Sequence, residues 1–338
     1  MKKTMIALAA VAAVGGAFAQ ATFTPYGVLD LNVNNSSAGT TIGSGGYSTS
    51  RFGVKSELTA GGLKWDGMFE TGIDAANPAA TTLGDRNVNV GVTGSMGTLR
   101  LGKQFTAYTM SFFNDATEDD GFNPIWSGGF AVNGYAGLVP HSDQIRSKHS
   151  ISYTSPTFSN FNFVVLAAPG ADGAAASTVG SFDPDTGAPI TKAKPANAAT
   201  NYVGFGLNYA PMPELALSYG WESASTGVEG AAATTAWNLG AAFKTMGITL
   251  YADVNRAENG LVSDSGWYLS AAAPVSGTWS VQGGYASNET TAAKATGLTG
   301  VVLNDLDKQL RLYAGFKRTT LTAAPDATTY LAGAKYSF

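Results

Sequence analysis

The chain of 338 residues contains no cysteine and only two histidines, and charged residues make up just 13% of it. Without cysteine there is no disulfide framework, no thiolate nucleophile and no sulfur-ligated zinc or iron–sulfur site. Two histidines leave little from which to build a metal centre, and no cofactor is expected. A soluble globular domain carries roughly 25% charged residues, so this chain has about half the usual charge. The balance is acidic, 20 Lys and Arg against 24 Asp and Glu. The basic excess that nucleic-acid binding calls for is therefore missing. Disorder needs few aromatics and high net charge, whereas 11% of this chain is aromatic and its formal charge is −4. Beyond the N-terminus no run approaches the 18 or more apolar residues of a transmembrane helix.

What is present begins with a targeting pattern. Lys2 and Lys3 precede a small, apolar stretch from Ile6 to Ala19, ending in Ala17-Phe18-Ala19. A positive start, a short apolar segment and an A-x-A site are the marks of a secretory signal. Residues 1–19 are expected to be cleaved, leaving residues 20–338 as one exported domain.

From there the period is two. In residues 23–33, Phe23, Leu29, Leu31 and Val33 alternate with Thr24, Tyr26, Asp30 and Asn32. Residues 51–58 carry Phe52, Val54 and Leu58 on one side and Arg51, Lys55 and Glu57 on the other. Residues 63–73 set Leu63, Trp65, Phe69 and Ile73 against Lys64, Asp66 and Glu70. Successive side chains of a strand point to opposite faces, so each run is a ribbon with one apolar and one polar side. Fifteen such runs are clear, and a weaker one at residues 297–303 makes sixteen. Tight Gly/Pro/Ser turns alternate with longer connections near residues 35–48, 74–85, 106–143, 168–199, 222–233, 256–264 and 287–296.

A soluble sandwich also alternates. Strands of about 9–11 residues, an even strand count and long connections on one side instead fit a barrel crossing a bilayer. Trp65, Trp221, Trp237, Trp267, Trp279 and Tyr336 stand near strand ends on the apolar side, where interfacial girdles lie. Only closure lets a sheet cross lipid, because an open edge leaves backbone groups unsatisfied. The fold expected is an all-β, 16-stranded antiparallel transmembrane barrel with a polar interior wide enough for water.

Ser50-Arg51-Phe52-Gly53-Val54-Lys55, Gly61-Gly62-Leu63-Lys64, Asp85-Arg86-Asn87-Val88-Asn89-Val90-Gly91-Val92 and Gly97-Thr98-Leu99-Arg100-Leu101-Gly102-Lys103-Gln104 follow one another along the chain. These segments resemble the general porins of Gram-negative bacteria, nearest the neisserial and beta-proteobacterial branch. Tyr26-Gly27-Val28-Leu29-Asp30 and the closing Tyr336-Ser337-Phe338 fit as well. The resemblance implies an outer-membrane homotrimer whose third extracellular loop folds inward. It also implies a terminal Phe338 read by the outer-membrane barrel assembly machinery. The third long connection, residues 106–143, contains Asp115, Glu118, Asp119 and Asp120; the resemblance makes these the acidic side of a constriction, where the residues alone also allow an acidic surface loop. Arg51, Lys55, Arg100, Arg146 and Lys148 share the inward parity. The family's arginine cluster maps to Arg51, Arg86 and Arg146. Arg86 shares parity with Val88, Val90 and Val92, so it must lie at a strand end or beyond a bulge.

The implied function is passive diffusion of small hydrophilic solutes and ions through a water-filled channel. Charged rings at a narrow waist set the ion preference, and nine basic against six acidic inward positions lean weakly toward anions. A substrate-specific channel for sugars or organic anions stays open, with Tyr26, Tyr251, Tyr268 and Tyr313 at inward parity. An outer-membrane hydrolase would need a Ser/His pair. His149 and Ser150 are adjacent on a strand and so face opposite ways, and no catalytic residue is expected.

Overall fold

The computed structural model describes residues 21–77, 83–113, 146–170, 177–182, 189–194, 201–225, 233–259, 262–290, 294–322 and 324–338. In chain order the first half comprises β1 (Thr22–Ser36), β2 (Gly39–Ser44), β3 (Arg51–Ala60), β4 (Leu63–Gly72), β5 (Val88–Gly94), β6 (Gly97–Phe105), α1 (Ala107–Phe113), β7 (Arg146–Thr154), β8 (Phe161–Ala168), β9 (Ser177–Phe182) and β10 (Pro189–Lys194). The second half comprises β11 (Tyr202–Met212), β12 (Leu215–Ala224), β13 (Thr234–Thr245), β14 (Ile248–Asn259), β15 (Val262–Ser276), β16 (Trp279–Thr290), β17 (Lys294–Asp305), β18 (Leu310–Leu321) and β19 (Ala324–Ser337). The strands β9 and β10 pair only with each other, as a hairpin within the fourth long connection.

The remaining seventeen strands form one antiparallel sheet. The sheet closes where β19 meets β1, with Val28 opposite Ser337 and Asn35 opposite Tyr330. On its other flank β1 pairs with β2 through residues 31–36 and with β3 through residues 22–28. Those two strands are therefore halves of one interrupted stave. The wall has sixteen staves, the number expected, and the weak run at residues 297–303 is the middle of β17.

Alternation decides which way the ribbon curls. Leu239, Leu269, Val90 and Leu101 stand more than half exposed on the outer surface. Asn238, Ser270 and Asn89, next to them in sequence, are buried on the inner one. This is the inverse of a soluble barrel and suits a hydrocarbon surround. Trp65, Trp237, Trp267, Trp279 and Tyr336 are all exposed on the outer surface toward strand ends, and Trp221 lies beside Trp237 across the β12–β13 ladder. Among the described residues no helix is long and apolar enough to cross a membrane.

Strand lengths spread more widely than 9–11 residues, from six in β2, β9 and β10 to fifteen in β1 and β15. Residues 256–264 and 287–296 are largely strand, not connection, because small residues there continue the ladder without contributing an apolar stripe. Pairing between β14 and β15 runs out to Asn259 and Val262.

One irregularity matters for the interior. Gly102 lies opposite Ser150 and Gln104 opposite Ser147, so Lys103 faces both Lys148 and His149. His149 takes a positive φ of 51° to absorb the extra residue of this bulge. Gly102 itself has φ 118°, and a Cβ there would lie 2.4 Å from the Val88 carbonyl oxygen. Gly102→Ala is expected to cost about 2–4 kcal/mol, combining backbone strain with overpacking. Urea unfolding of the detergent-refolded protein measures it.

Candidate functional site

Where β3, β5 and β7 begin, three arginines converge on one carboxylate. Glu70 comes from β4, opposite Gly53 of β3, which in turn lies opposite Tyr26 of β1. Gly53 leaves room for the Tyr26 ring to pass over the β3 backbone, since a Cβ there would meet the ring at 2.6 Å. The Tyr26 hydroxyl donates to Glu70 Oε2 at 2.8 Å. Arg86 Nε donates to Glu70 Oε1 at 2.6 Å, Arg51 Nε lies 3.4 Å from Oε2, and Arg146 Nη2 lies 3.8 Å from Oε1. Arg146 Nε also donates to Asn87 Oδ1 at 3.1 Å, with its guanidinium carbon 4.2 Å from the centre of the Phe105 ring. Among the described residues, three formal positive charges stand against Glu70 and the nearby Asp85, which also acts on Arg146, and leave a net cationic patch facing the interior. Clustering like charges is costly unless a shared counterion and fixed geometry hold them, which is what Glu70 supplies.

The sequence brought Arg51, Arg86 and Arg146 forward by different arguments, and the structure joins them. Arg86 precedes the first residue of β5, so its parity conflict with Val88 and Val90 dissolves at the strand end. Lys55 stands with its Nζ 5.0 Å from the centre of the Tyr26 ring. Arg100 sits nearer the short-turn end, where it pairs with Asp66 Oδ2 at 2.6 Å and Asn89 Oδ1 at 2.7 Å. Gly91 lies between that pair on the intervening strand, and a Cβ on it would meet both Arg100 and Asp66 at 2.7 Å. Lys148 is half-buried at the β7 bulge. Asp115, Glu118, Asp119 and Asp120 lie outside the described residues, as do residues 1–19. Glu70 had been visible only as one of six inward acids; its role as hub needed the register of three strands.

The third long connection begins inside the barrel. Thr106 caps α1, its Oγ1 accepting from the Thr109 amide at 3.1 Å. Ala107 is fully buried against the inward side chains Val164, Leu166, Ala168, Tyr202 and Ala224. Tyr108 packs on Ala236 and Ala257. Beside it the Tyr202 hydroxyl donates to Glu222 Oε2 at 2.8 Å. Thus α1 covers the inner surface of β8 and β11–β14. Phe338, at the seam, exchanges backbone hydrogen bonds with Gly27 at 2.9 and 3.0 Å, and its ring lies over Gly27 on the outer face.

The sequence profile of Gram-negative porins matches residues 6–338. The chain belongs to the Gram-negative porin family. Its relatives include outer membrane porin protein 32 of Delftia acidovorans, 30% identical over 332 residues that cover 93% of this chain and 88% of that protein. Another is major outer membrane protein P.IA of Neisseria meningitidis, 30% identical over 46% of this chain and 40% of that protein. Among solved structures, an anion-selective porin from Comamonas acidovorans superposes with a TM-score of 0.74 at 23% identity, over 94% of this chain and all of that one. This porin is accordingly an outer-membrane protein, and its polar interior is that of a transmembrane channel.

Proposed function

We propose that the channel passes small hydrophilic solutes and ions by passive diffusion, with a weak preference for anions. The observation that carries this is the convergence of Arg51, Arg86 and Arg146 on the single carboxylate of Glu70. A net cationic patch on a water-filled waist raises the local concentration of anions, and low-dielectric walls focus its field. The anion-selective porin from Comamonas acidovorans shares that sign. Residues 106–143 complete the constriction in this reading, with Asp115, Glu118, Asp119 and Asp120 opposing the arginines and α1 anchoring the segment inside. Lys55, Arg100 and Lys148 extend the basic wall above and below the waist.

The same reading takes residues 1–19 as a cleaved signal, residues 20–338 as a single barrel domain, the assembly as a homotrimer and Phe338 as the assembly signal. It assigns no catalysis. His149 is exposed at the bulge, while the Ser150 hydroxyl donates to the Gly102 carbonyl at 2.7 Å, which gives the pair no nucleophile–base geometry. The test is the reversal potential of the purified protein in a planar bilayer under a potassium chloride gradient. A sign reporting chloride over potassium is expected, and clear cation preference overturns the reading.

A further inference from the structure

The interrupted stave has a consequence for the interior. Ser44 is opposite Leu31 and Arg51 is opposite Val28. Six residues, 45–50, therefore stand against two on β1. An ordinary bulge inserts one extra residue, so four extra cannot stay within the sheet. Leaving it outward would carry bare backbone N–H groups into hydrocarbon at several kcal/mol each. The segment turns inward instead, starting at Gly45 with φ 77°.

Inside, Asp30 receives it. The amides of Gly46, Tyr47 and Ser48 donate to the Asp30 carboxylate at 3.0, 3.1 and 2.8 Å, and the Tyr313 hydroxyl donates at 2.5 Å. The Asp30 backbone is held too, accepting from the Gly45 amide and donating to Ser50 Oγ, both at 2.9 Å. Tyr47, 1% exposed, packs on the inward side chains Leu303, Tyr313 and Leu331. Its hydroxyl meets Gln282 of β16 at 3.1 Å and Arg311 Nη1 at 3.1 Å. Segment 45–50 therefore covers the inner wall of β16–β19, while α1 covers that of β8 and β11–β14. On its other flank Arg51 Nη1 donates to Ser48 Oγ and to the Thr49 carbonyl, each at 3.1 Å.

We propose that residues 45–50 are a second narrowing element of the channel, latched by Asp30, and that this latch positions Arg51 in the arginine cluster. The inference rests on the channel reading above and adds to it a steric element independent of residues 106–143. Asp30, Tyr47 and Ser48 are positioning residues: they set the pore's width and its charge through Arg51.

The experiment uses the full chain in planar bilayers, with barrel formation checked by heat-modifiable migration. Removing residues 46–49 leaves Gly45 and Ser50 opposite Asp30 and Leu29, an unbroken ladder that needs no latch. Its single-channel conductance is expected to rise by about half, since conduction follows the open cross-section at the narrowest level. Asp30→Asn keeps the size but turns two donor hydrogens toward the amides. It is expected to shift the reversal potential toward less anion preference, with no further shift when combined with Arg51→Ala, the signature of coupled residues. Simple loss of a lumen carboxylate would move the potential the opposite way.

A wild-type protein that conducts, with the deletion variant at unchanged conductance, overturns the inference and leaves the channel reading standing. So does a shift in Asp30→Asn that is absent, toward more anion preference, or additive with Arg51→Ala. A wild-type protein that conducts nothing defeats the channel reading itself. Should Asp30→Asn not form a barrel, the deletion variant and Tyr47→Ala, expected to widen the pore in the same direction, decide the matter.

Discussion

Replacing Arg51, Arg86 and Arg146 together with alanine is expected to abolish the anion preference and turn it over to cations. The cluster loses all three of its positive charges and keeps the carboxylates of Glu70 and the nearby Asp85. An anion passing ~7 Å from one guanidinium gains about 0.6 kcal/mol in water and a cation loses as much, and both effects are larger beside a low-dielectric wall. That is roughly sevenfold in the anion-to-cation permeability ratio for each charge removed, since 1.4 kcal/mol is tenfold. Tyr26 and Asn87 still donate to Glu70 in the triple variant, at 2.8 and 3.4 Å, so the carboxylate keeps partners. Reversal potentials under a salt gradient read the change. The difference should be larger near 0.1 M than near 1 M salt, where screening shortens to about 3 Å. A triple variant that keeps the sign and size of the wild-type potential would remove the cluster from the selectivity filter.

The second large effect is on stability and belongs to the opposite face. Leu269 stands at the middle of β15, 55% exposed on the outer surface. Leu269→Arg is expected to cost about 2–4 kcal/mol, the penalty for a cation at the bilayer midplane. The neighbouring Ser270, buried on the interior side, should accept threonine with far less loss. Equilibrium unfolding from lipid vesicles distinguishes the two. Equal costs at the two positions would mean that the apolar face is not what the bilayer touches.

Most of the wall was legible in the sequence because alternation needs only local information. Phe52, Val54 and Leu58 announce which way β3 faces without reference to any other strand. The arginine hub is another matter. Glu70 and Arg86 meet because β4 and the residues before β5 are brought to one level by register, a property no single segment carries. Arg146 joins them past a bulge whose only sequence trace is Gly102. Residues 35–48 read as a long connection because Gly43, Gly45 and Gly46 erase the apolar stripe. What they contain is β2 and an inward turn. Asp30 looked like one more lumen charge, and nothing local to it says that amides sixteen to eighteen residues away will close on its carboxylate. An aromatic directly after a glycine pair inside a strand-like run, as in Gly45-Gly46-Tyr47, is the one signal that could have pointed there.

The seam where the last strand meets the first sets a temporal order on the molecule's making. Val28 and Ser337 are neighbours in the ladder but stand about three hundred positions apart along the chain. The other staves pair across much shorter separations and can assemble as successive hairpins. Joining the two flanks bears the largest loop-closure entropy, which grows as the logarithm of separation to roughly 5 kcal/mol, and non-local pairing of this kind is slow. Until that step is complete the curved sheet carries two raw margins, each able to recruit a strand from another polypeptide.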